Sequence, residues 1–399
     1  MRLAYSCHDS IPSPDTNTQQ VVWTLLEVAH LAVDVDLFVP SVADGGSGDA
    51  RTAIAVYYGV SPPTLPPALS IVPLGGPAHG VLARGWFDWR LPARLDRRHY
   101  DLLWTRDPLA VLSSVRAGRD VVFETYRPDF ASAARFSLWR RACLTSPRLR
   151  GLIVHSQLAA DAFVAAGFPS SRCRVVHNGF APSVMEPRLD RRSARARLGL
   201  PAEAPLVVYA GHVGRKKGTD TLVRMAAALQ GVRIVLLGVE PGSTEAREIG
   251  AMAERLGAGG LMLKPRVPLA EVPAYLYAAD CLVIPPTNEP LARFGRTVLP
   301  MKIFMYLAAG RPILAPRLPD IEEVLADGRT ARLVPPGDGT EAAAVLASLL
   351  ADRGLQEHLS AHALAAAGRY TWAARAATLV KFLEGIQAGA GRSPQDAAE

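Results

Sequence analysis

A glycine-rich stretch with two adjacent lysines, GHVGRKKGTDTL at residues 211–222, contains residue types suited to binding an anion. An apolar run before it predicts a buried strand ending at Ala210, and helical spacing resumes near Thr219. Free N–H groups and the dipole at a helix N-terminus favour negative charge. The chain has only five lysines against thirty-nine arginines. We therefore predict a phosphate-binding loop in which Arg215 or Lys217 neutralises a diphosphate, with an ordinary surface turn as the alternative.

The glycine spacing of this loop is not G-x-G-x-x-G, so a dinucleotide-binding fingerprint is not supported. The four cysteines are far apart and form no CxxC pair, which indicates neither a zinc site nor a disulfide framework. The first residues lack the apolar region of a signal peptide, and no apolar run reaches the ~18 residues of a membrane span. These features favour a cytoplasmic globular enzyme.

The formal net charge of +7 is concentrated between Arg84 and Arg150, where fourteen arginines stand against seven acidic residues. Two stretches of this segment, residues 83–100 and 135–150, interleave Trp and Phe with Arg. Such a surface suits anionic lipid headgroups, and it predicts a peripheral contact with the inner face of a membrane. A solvated basic helix face with its aromatic residues in the core is the alternative. No recognition motif accompanies the charge, so nucleic acid is not expected as a partner.

Short apolar runs alternate with helical spacing along most of the chain, which implies parallel sheets covered on both faces. At 399 residues the chain favours two such α/β domains. The predicted strands are residues 2–6, 35–40, 101–105, 121–125, 151–156 and 174–179, then 205–211, 233–238, 261–264, 281–286, 312–316 and 331–337.

A polar, arginine-rich stretch at residues 185–204 interrupts this alternation and predicts an exposed helix with a linker. We therefore predict a first domain over residues 1–184 and a second over residues 205–370. An amphipathic pattern predicts a C-terminal helix over residues 371–388 that packs back on the first domain.

Taken in order, the motifs resemble those of the family 4 glycosyltransferases of the GT-B fold. The similar segments are GLIVHSQLAADAFVAAGFPSSRCRVVHNGF, YAGHVGRKKGTDTLV, VPAYLYAADCLVIPPTNEP and KIFMYLAAGRPILAP. The resemblance implies two Rossmann-like domains facing each other across a cleft. It also implies retaining transfer of a sugar from a nucleotide-diphosphate sugar to a polysaccharide, glycolipid or metabolite, without a metal or other cofactor.

The resemblance places the donor diphosphate on the glycine-rich loop between Gly211 and Gly218. Lys217 corresponds to the family lysine that holds the diphosphate. His212 stands where many members have an arginine, and Arg215 can supply the missing guanidinium. Fixed cations at this position would stabilise the charge that develops on the leaving nucleotide diphosphate.

Two further donor residues follow from the same resemblance. Glu289, in PPTNEP, is similar to the first of two family glutamates, which accepts hydrogen bonds from the donor sugar; a solvated loop carboxylate is the alternative. The second glutamate is replaced by Met305, whose thioether cannot accept paired hydrogen bonds from ribose hydroxyls. Lys302 lies three residues earlier on the same helical face, where it can reach the donor phosphate or ribose, unless it covers the core.

In the first half, TRDP and VVFETYRPD resemble strand ends on the acceptor side of the family's cleft, which assigns Arg106 and Glu124 to that side. Tyr126 occupies the place of a histidine found in many members. We predict that Tyr126 orients the sugar, with structural burial of a satisfied hydroxyl as the alternative.

The loop after the first strand lacks the family's glycines. Thr16 and Asn17 offer polar contacts to the acceptor there, although capping of the first helix explains these two residues equally well. An isolated histidine after a strand, such as His8, is expected to be structural.

Three functions remain open at this point. The chain is an active transferase, a donor-binding relative that has lost catalysis, or a GT-B epimerase or phosphorylase. Loss of the second glutamate and of the histidine favours the second reading, whereas Lys217 and Glu289 favour the first.

Overall fold

The computed structural model describes residues 1–13, 15–42, 50–60, 65–76, 81–214, 217–288, 299–337 and 339–390. The chain divides into two compact units. The first unit contains Met1–Asn178 and Trp372–Glu399, and the second contains Gly179–Thr371. The chain therefore returns to its first unit with its last helix.

The first unit is built on a parallel sheet. Its strands are β1 Arg2–Ser6, β2 Asp34–Val39, β3 Leu69–Pro73, β4 Leu102–Thr105, β5 Val121–Thr125, β6 Leu149–Val154 and β7 Cys173–Val175. The strand order is β3-β2-β1-β4-β5-β6-β7. Central strands such as β4 and β5 are buried along their whole length, as expected for a parallel sheet covered on both faces.

Helices and short 3-10 turns cover this sheet. They are α1 Thr16–His30, α2 Ala50–Tyr58, α3 Val81–Leu95, α4 Pro108–Arg116, α5 Asp129–Ser132, α6 Ser137–Cys143, α7 Gln157–Ala165 and α16 Trp372–Ala390, with 3-10 turns at Ala134–Phe136 and Ser170–Arg172. The last helix packs closely on β6, because a Cβ added at Gly151 would lie 2.4 Å from the Ile386 side chain.

The second unit contains another parallel sheet. Its strands are β8 Leu206–Ala210, β9 Arg233–Val239, β10 Leu261–Pro265, β11 Cys281–Val283, β12 Ile313–Pro316 and β13 Arg332–Val334, in the order β10-β9-β8-β11-β12-β13. Each of the two sheets thus has the Rossmann-like arrangement that the alternating apolar runs predicted.

The helices of the second unit alternate with its strands. They are α8 Arg191–Leu198, α9 Thr219–Ala228, α10 Thr244–Leu256, α11 Val272–Ala278, α12 Lys302–Ala309, α13 Pro319–Glu322, α14 Thr340–Ala351 and α15 Arg353–Ala367, with 3-10 turns at Pro182–Met185, Leu269–Glu271 and Gly368–Tyr370. None of the helices among the described residues of either unit combines the length and apolarity needed to cross a bilayer.

Residues 185–204 contain the helix that was predicted there, α8, and most of their residues are exposed. They lie inside the second unit, where the Arg195 side chain of α8 is only 3% exposed. Its guanidinium donates to the Ala278 carbonyl at 2.9 Å and to the Asp280 carboxylate at 2.6 Å. A buried arginine satisfied in this way fixes α8 to the end of α11.

Candidate functional site

The glycine-rich loop of the second unit leads from the end of β8 into α9. Gly211, Gly214 and Gly218 have φ angles of +148°, +151° and +68°, which residues with a Cβ rarely adopt. The loop is anchored from both sides. The Tyr209 hydroxyl donates to the His212 carbonyl at 2.6 Å, and the Gly214 N–H donates to the Thr219 hydroxyl at 2.9 Å.

Lys302, the first residue of α12, lies directly against this loop. Its Nζ is 3.7 Å from the centre of the Tyr209 ring, and a Cβ added at Gly211 would come within 2.5 Å of that Nζ. The Tyr306 hydroxyl accepts a hydrogen bond from the Ala210 N–H at 2.8 Å, which holds α12 at the end of β8. Gly211 is therefore required for the close approach of the Lys302 ammonium.

Two lysine side chains, Lys217 and Lys302, lie close together at this loop. Burial lowers the pKa of Lys302 well below its ordinary value, and the nearby charge of Lys217 lowers it further. Lys217 is exposed on the loop. Within the described part of the chain, no carboxylate forms an ion pair with either ammonium. A bound anion would favour the protonated form of Lys302, so the geometry fits a phosphate or diphosphate.

Met305 lies one turn after Lys302 on α12. It is partly buried and packs against the core of the second unit. His212 is exposed on the loop. Glu289 and Arg215, both assigned to the donor site from the sequence, lie outside the described residues.

In the first unit, a buried carboxylate brings together residues from four elements. Oε1 of Glu124, on β5, accepts hydrogen bonds from Gln20 of α1 at 2.6 Å, from His155 after β6 at 2.7 Å and from Arg375 of α16 at 2.7 Å. Arg375 also donates to the carbonyl oxygen of Val176 at 2.7 Å. These contacts hold α1 and α16 at the carboxyl ends of the central strands.

Arg106 and Tyr126 lie beside this network. Arg106 donates to the side-chain carbonyl of Gln20, and its guanidinium lies 5.5 Å from the centre of the Tyr126 ring. Tyr126 remains 38% exposed. The structure therefore brings together three residues that the sequence assigned to the acceptor side, Arg106, Glu124 and Tyr126.

The protonation states of this network follow from burial and charge. Burial raises the pKa of Glu124, but the charge of Arg375 and the hydrogen bond from His155 outweigh burial and hold that pKa far below its ordinary value. Burial lowers the pKa of His155 from 6.5 to about 4, despite its contact with Glu124. At neutral pH, a carboxylate and a neutral imidazole therefore face each other.

Thr16 and Asn17 do not cap α1, which corrects the alternative explanation offered for them. The helix begins at Thr16, and its N-cap residue Asp15 makes no side-chain capping bond. The Asn17 amide instead donates to the Asp9 carboxylate at 2.5 Å. Thr16 is exposed at the first turn of the helix.

Sequence reasoning missed Gln20, His155, Arg375 and Tyr209. His155 lies in GLIVHSQ and Tyr209 in YAGHVG, and their position near the end of a predicted strand could have identified them as site residues. Gln20 and Arg375 sit within amphipathic helices, where nothing in the spacing distinguishes an inward-facing polar side chain from a solvated one.

Two sequence profiles match this chain. One, described as Glycosyltransferase Family 4, matches residues 19–184, and the other, Glycosyl transferases group 1, matches residues 204–352. The matched ranges correspond closely to the two structural units.

Curated relatives cover part of the chain. A D-inositol 3-phosphate glycosyltransferase of Xylanimonas cellulosilytica is 34% identical over 204 residues, covering 50% of this chain and 47% of the relative. The enzyme of the same name from Corynebacterium urealyticum is 30% identical over 249 residues, covering 59% of this chain and 56% of the relative. The chain thus spans about half the length of the curated relatives it matches.

Solved structures share the fold across the whole chain. Anabaena HepE in complex with UDP-glucose matches 96% of this chain and 100% of its own, with a TM-score of 0.71 and 18% identity. Sucrose-phosphate synthase from Thermosynechococcus elongatus matches 97% of this chain and 99% of its own, with a TM-score of 0.76 and 18% identity. At such identities the likeness establishes the GT-B fold.

Proposed function

This chain belongs to the family 4 glycosyltransferases, and we propose that it transfers a sugar from a nucleotide-diphosphate sugar to a hydroxyl acceptor with retention of configuration. The observation that carries the proposal is the pair of ammonium groups, Lys217 and Lys302, set against a glycine-rich loop at the start of α9. No described carboxylate neutralises this pair, so a bound diphosphate is its natural counterion.

In the proposed reaction, the bond between the anomeric carbon and the diphosphate oxygen breaks, and a bond to the acceptor oxygen forms. Lys217 and Lys302 stabilise the charge that develops on the leaving diphosphate. A diphosphate oxygen takes the proton of the acceptor hydroxyl on the same face of the sugar. Glu289 accepts hydrogen bonds from the donor sugar. This chemistry needs no metal ion.

The acceptor-side role belongs to the first unit. Arg106 and the exposed ring of Tyr126 offer a cation and an aromatic face, a pair suited to a phosphorylated or polyhydroxylated acceptor. Glu124 contributes through the hydrogen bonds that hold Gln20, and through Gln20 the position of Arg106. D-inositol 3-phosphate is the first acceptor to test, because it appears in the name of the curated relatives.

The activity test measures nucleotide release from a panel of nucleotide sugars, with UDP-glucose first because a related fold binds it. Chelator is present, and D-inositol 3-phosphate, a lipid-linked sugar or a glycan serves as acceptor. The proposal expects acceptor-dependent release of nucleoside diphosphate and a product with the anomeric configuration of the donor. Tight donor binding without transfer or hydrolysis would instead support the donor-binding relative that Met305 and Tyr126 suggest.

We also propose that the basic segment of the first unit rests on an anionic membrane. On α3, Trp89 is 71% exposed and Trp86 is 41% exposed, and Leu138 of α6 is 78% exposed. Arg97 and Arg141 are exposed and form no ion pair with any described carboxylate. A basic segment that exposes both aromatic rings and arginines without carboxylate partners suits the headgroup region of a bilayer.

Liposome sedimentation tests this contact. The proposal expects binding that requires anionic lipid, weakens with added salt and falls in Trp89→Ser and in Arg97→Gln/Arg141→Gln. Arg98→Gln and Arg140→Gln are the matched controls, because Arg98 pairs with Asp36 and Arg140 donates to the Ala133 carbonyl. Binding that is insensitive to salt, or equal in all variants, would contradict the membrane contact and would favour a solvated basic surface.

A further inference from the structure

A second cluster of chemically competent side chains lies at the carboxyl ends of β1 and β4 in the first unit. Strands β1 and β4 pair with Ser6 opposite Thr105. Two residues beyond this pair, the chain carries His8 on one side and Asp107 on the other. The shared register therefore brings an imidazole and a carboxylate from distant parts of the sequence to one point.

Asp88 of α3 completes the cluster. His8 Nε2 lies 2.7 Å from Asp88 Oδ1 and 3.3 Å from Asp107 Oδ2. One ligand atom from each of the three side chains lies within 4.8 Å of the others. Donor atoms that share a metal ion with bonds of ~2.1 Å lie about 3 to 3.4 Å apart, so the two carboxylate contacts of His8 are close to this spacing and a small side-chain movement would bring all three donors onto one ion.

The three side chains are held in place by their surroundings. The His8 ring packs edge-to-face against Phe87, with ring centres 4.9 Å apart. Both oxygens of Asp107 accept backbone N–H bonds, from Leu109 at 3.1 Å and from Ala110 at 2.8 Å. In metal sites of proteins, contacts of this kind fix the orientation of the ligand side chains.

Charge and burial also point to a cation. The side chains of His8, Asp88 and Asp107 are only 15%, 24% and 12% exposed. With a neutral imidazole, the cluster carries two negative charges in a largely enclosed place. A divalent cation held by all three side chains would compensate both carboxylates.

We propose that His8, Asp88 and Asp107 bind a divalent transition-metal ion, with Zn²⁺ as the cation best matched to one imidazole and two carboxylates. Three protein ligands leave at least one coordination position open. This inference goes beyond the proposed transfer, which uses the second unit's lysines and no metal. The ion would tie the loop after β1 to α3 and to the start of α4.

The site was not predicted from the sequence because its ligands have no motif spacing. His8 is separated by 80 residues from Asp88 and by 99 from Asp107. Metal sites are recognised in a sequence by His and Cys residues only a few positions apart, and these three ligands lack such a spacing.

Zn²⁺ titration by calorimetry on the metal-stripped, tag-free chain tests the proposal. All proteins carry His362→Gln, because His358 and His362 stand one turn apart on α15 with ring centres 4.3 Å apart and can chelate zinc themselves. We expect one saturable site in the parent protein, and affinity at least about ten-fold weaker in both His8→Gln and Asp88→Asn. His99→Gln is the control, since His99 is 93% exposed beside a single aspartate.

Thermal unfolding of the same proteins gives the second readout. Zn²⁺ should raise the Tm of the parent and of His99→Gln, but not that of Asp88→Asn, because an ion bound only to the folded state stabilises it. Asp107 is left unchanged, since it also caps α4. An absence of saturable zinc binding, or equal binding in Asp88→Asn, would show that the cluster holds only a protonated imidazole and would overturn the proposal.

Discussion

Lys302 lies in a site that disfavours its protonated form in the absence of a bound anion. Its ammonium has an aromatic face on one side and a second lysine nearby, and no described carboxylate pairs with it. The like charge and the burial both oppose its protonated form. An anion bound at the glycine-rich loop would stabilise the ammonium form of Lys302.

The first prediction is that Lys302→Met does not destabilise the ligand-free protein. Removal of a poorly compensated charge should raise stability by about 1 kcal/mol, or Tm by ~3 °C, measured by thermal unfolding without nucleotide. Lys264→Met, at the end of β10, is the control and should have little effect. A fall in Tm of several degrees in Lys302→Met, but not in Lys264→Met, would show that Lys302 stabilises the ligand-free fold and would contradict this prediction.

The second prediction concerns Met305→Glu. If Met305 faces the donor ribose, the new carboxylate gains hydrogen bonds to the hydroxyls and tightens nucleotide binding by ~1 kcal/mol, about five-fold. Calorimetry and Tm are measured on the same variant. A folded protein with equal or weaker affinity would refute the ribose assignment. Loss of folding would show instead that the contact of Met305 with the core dominates.

At the scale of elements, the sequence predicted most strands because central parallel strands are continuous apolar runs. β3, with the sequence LSIVP, was missed. It lies at the sheet edge, is only partly buried and ends in proline, so its pattern resembles a loop. Within residues 185–204, the burial of Arg195 was not predicted. Arginine usually indicates a solvated surface, and nothing in composition reveals that backbone carbonyls and Asp280 satisfy Arg195.

The third prediction tests the attachment of α16 to the first unit. Arg375→Met leaves the Glu124 carboxylate buried without its main charge partner, which should cost about 3–5 kcal/mol of unfolding free energy. Arg375→Met/Glu124→Gln should recover part of this loss, because the uncompensated charge is gone. Lys381→Met, exposed on the same helix, is the control. Equal stability of Arg375→Met and wild type would mean that the network does not hold the helix.

The fourth prediction follows from the lowered pKa of His155. The folded state keeps this imidazole neutral down to about pH 4, whereas an unfolded chain takes up the proton near pH 6.5. Since the unfolded state binds more protons in this window, stability contributed by His155 is present above pH 6.5 and is lost as pH falls towards 4. His155→Gln should flatten the fall in Tm over this range. The exposed-histidine variant His99→Gln should keep the wild-type slope, and an unchanged slope in His155→Gln would contradict the assignment.

For the molecule as a whole, the alternation of strands and helices was enough to predict two Rossmann-like sheets. The clustering of Arg106, Glu124 and Tyr126 was also predictable, since neighbouring parallel strands end at one edge of a sheet. The partners Gln20 and Arg375 were not, because they arrive from helices at opposite ends of the chain. The same limit applies to His8, Asp88 and Asp107, which only the pairing of β1 with β4 and the packing of α3 bring together.

The most direct test of the central claim is calorimetric titration of nucleoside diphosphates into the wild type and Lys302→Met, with chelator present and both proteins shown to be folded. The account predicts that at least one nucleoside diphosphate binds the wild type without metal. It predicts that Lys302→Met weakens this binding by about 1.5–3 kcal/mol, roughly 10- to 150-fold, because a charge-assisted contact to phosphate is lost. Failure of every nucleoside diphosphate to bind, or equal affinity in the two proteins, would contradict a donor site built on this lysine.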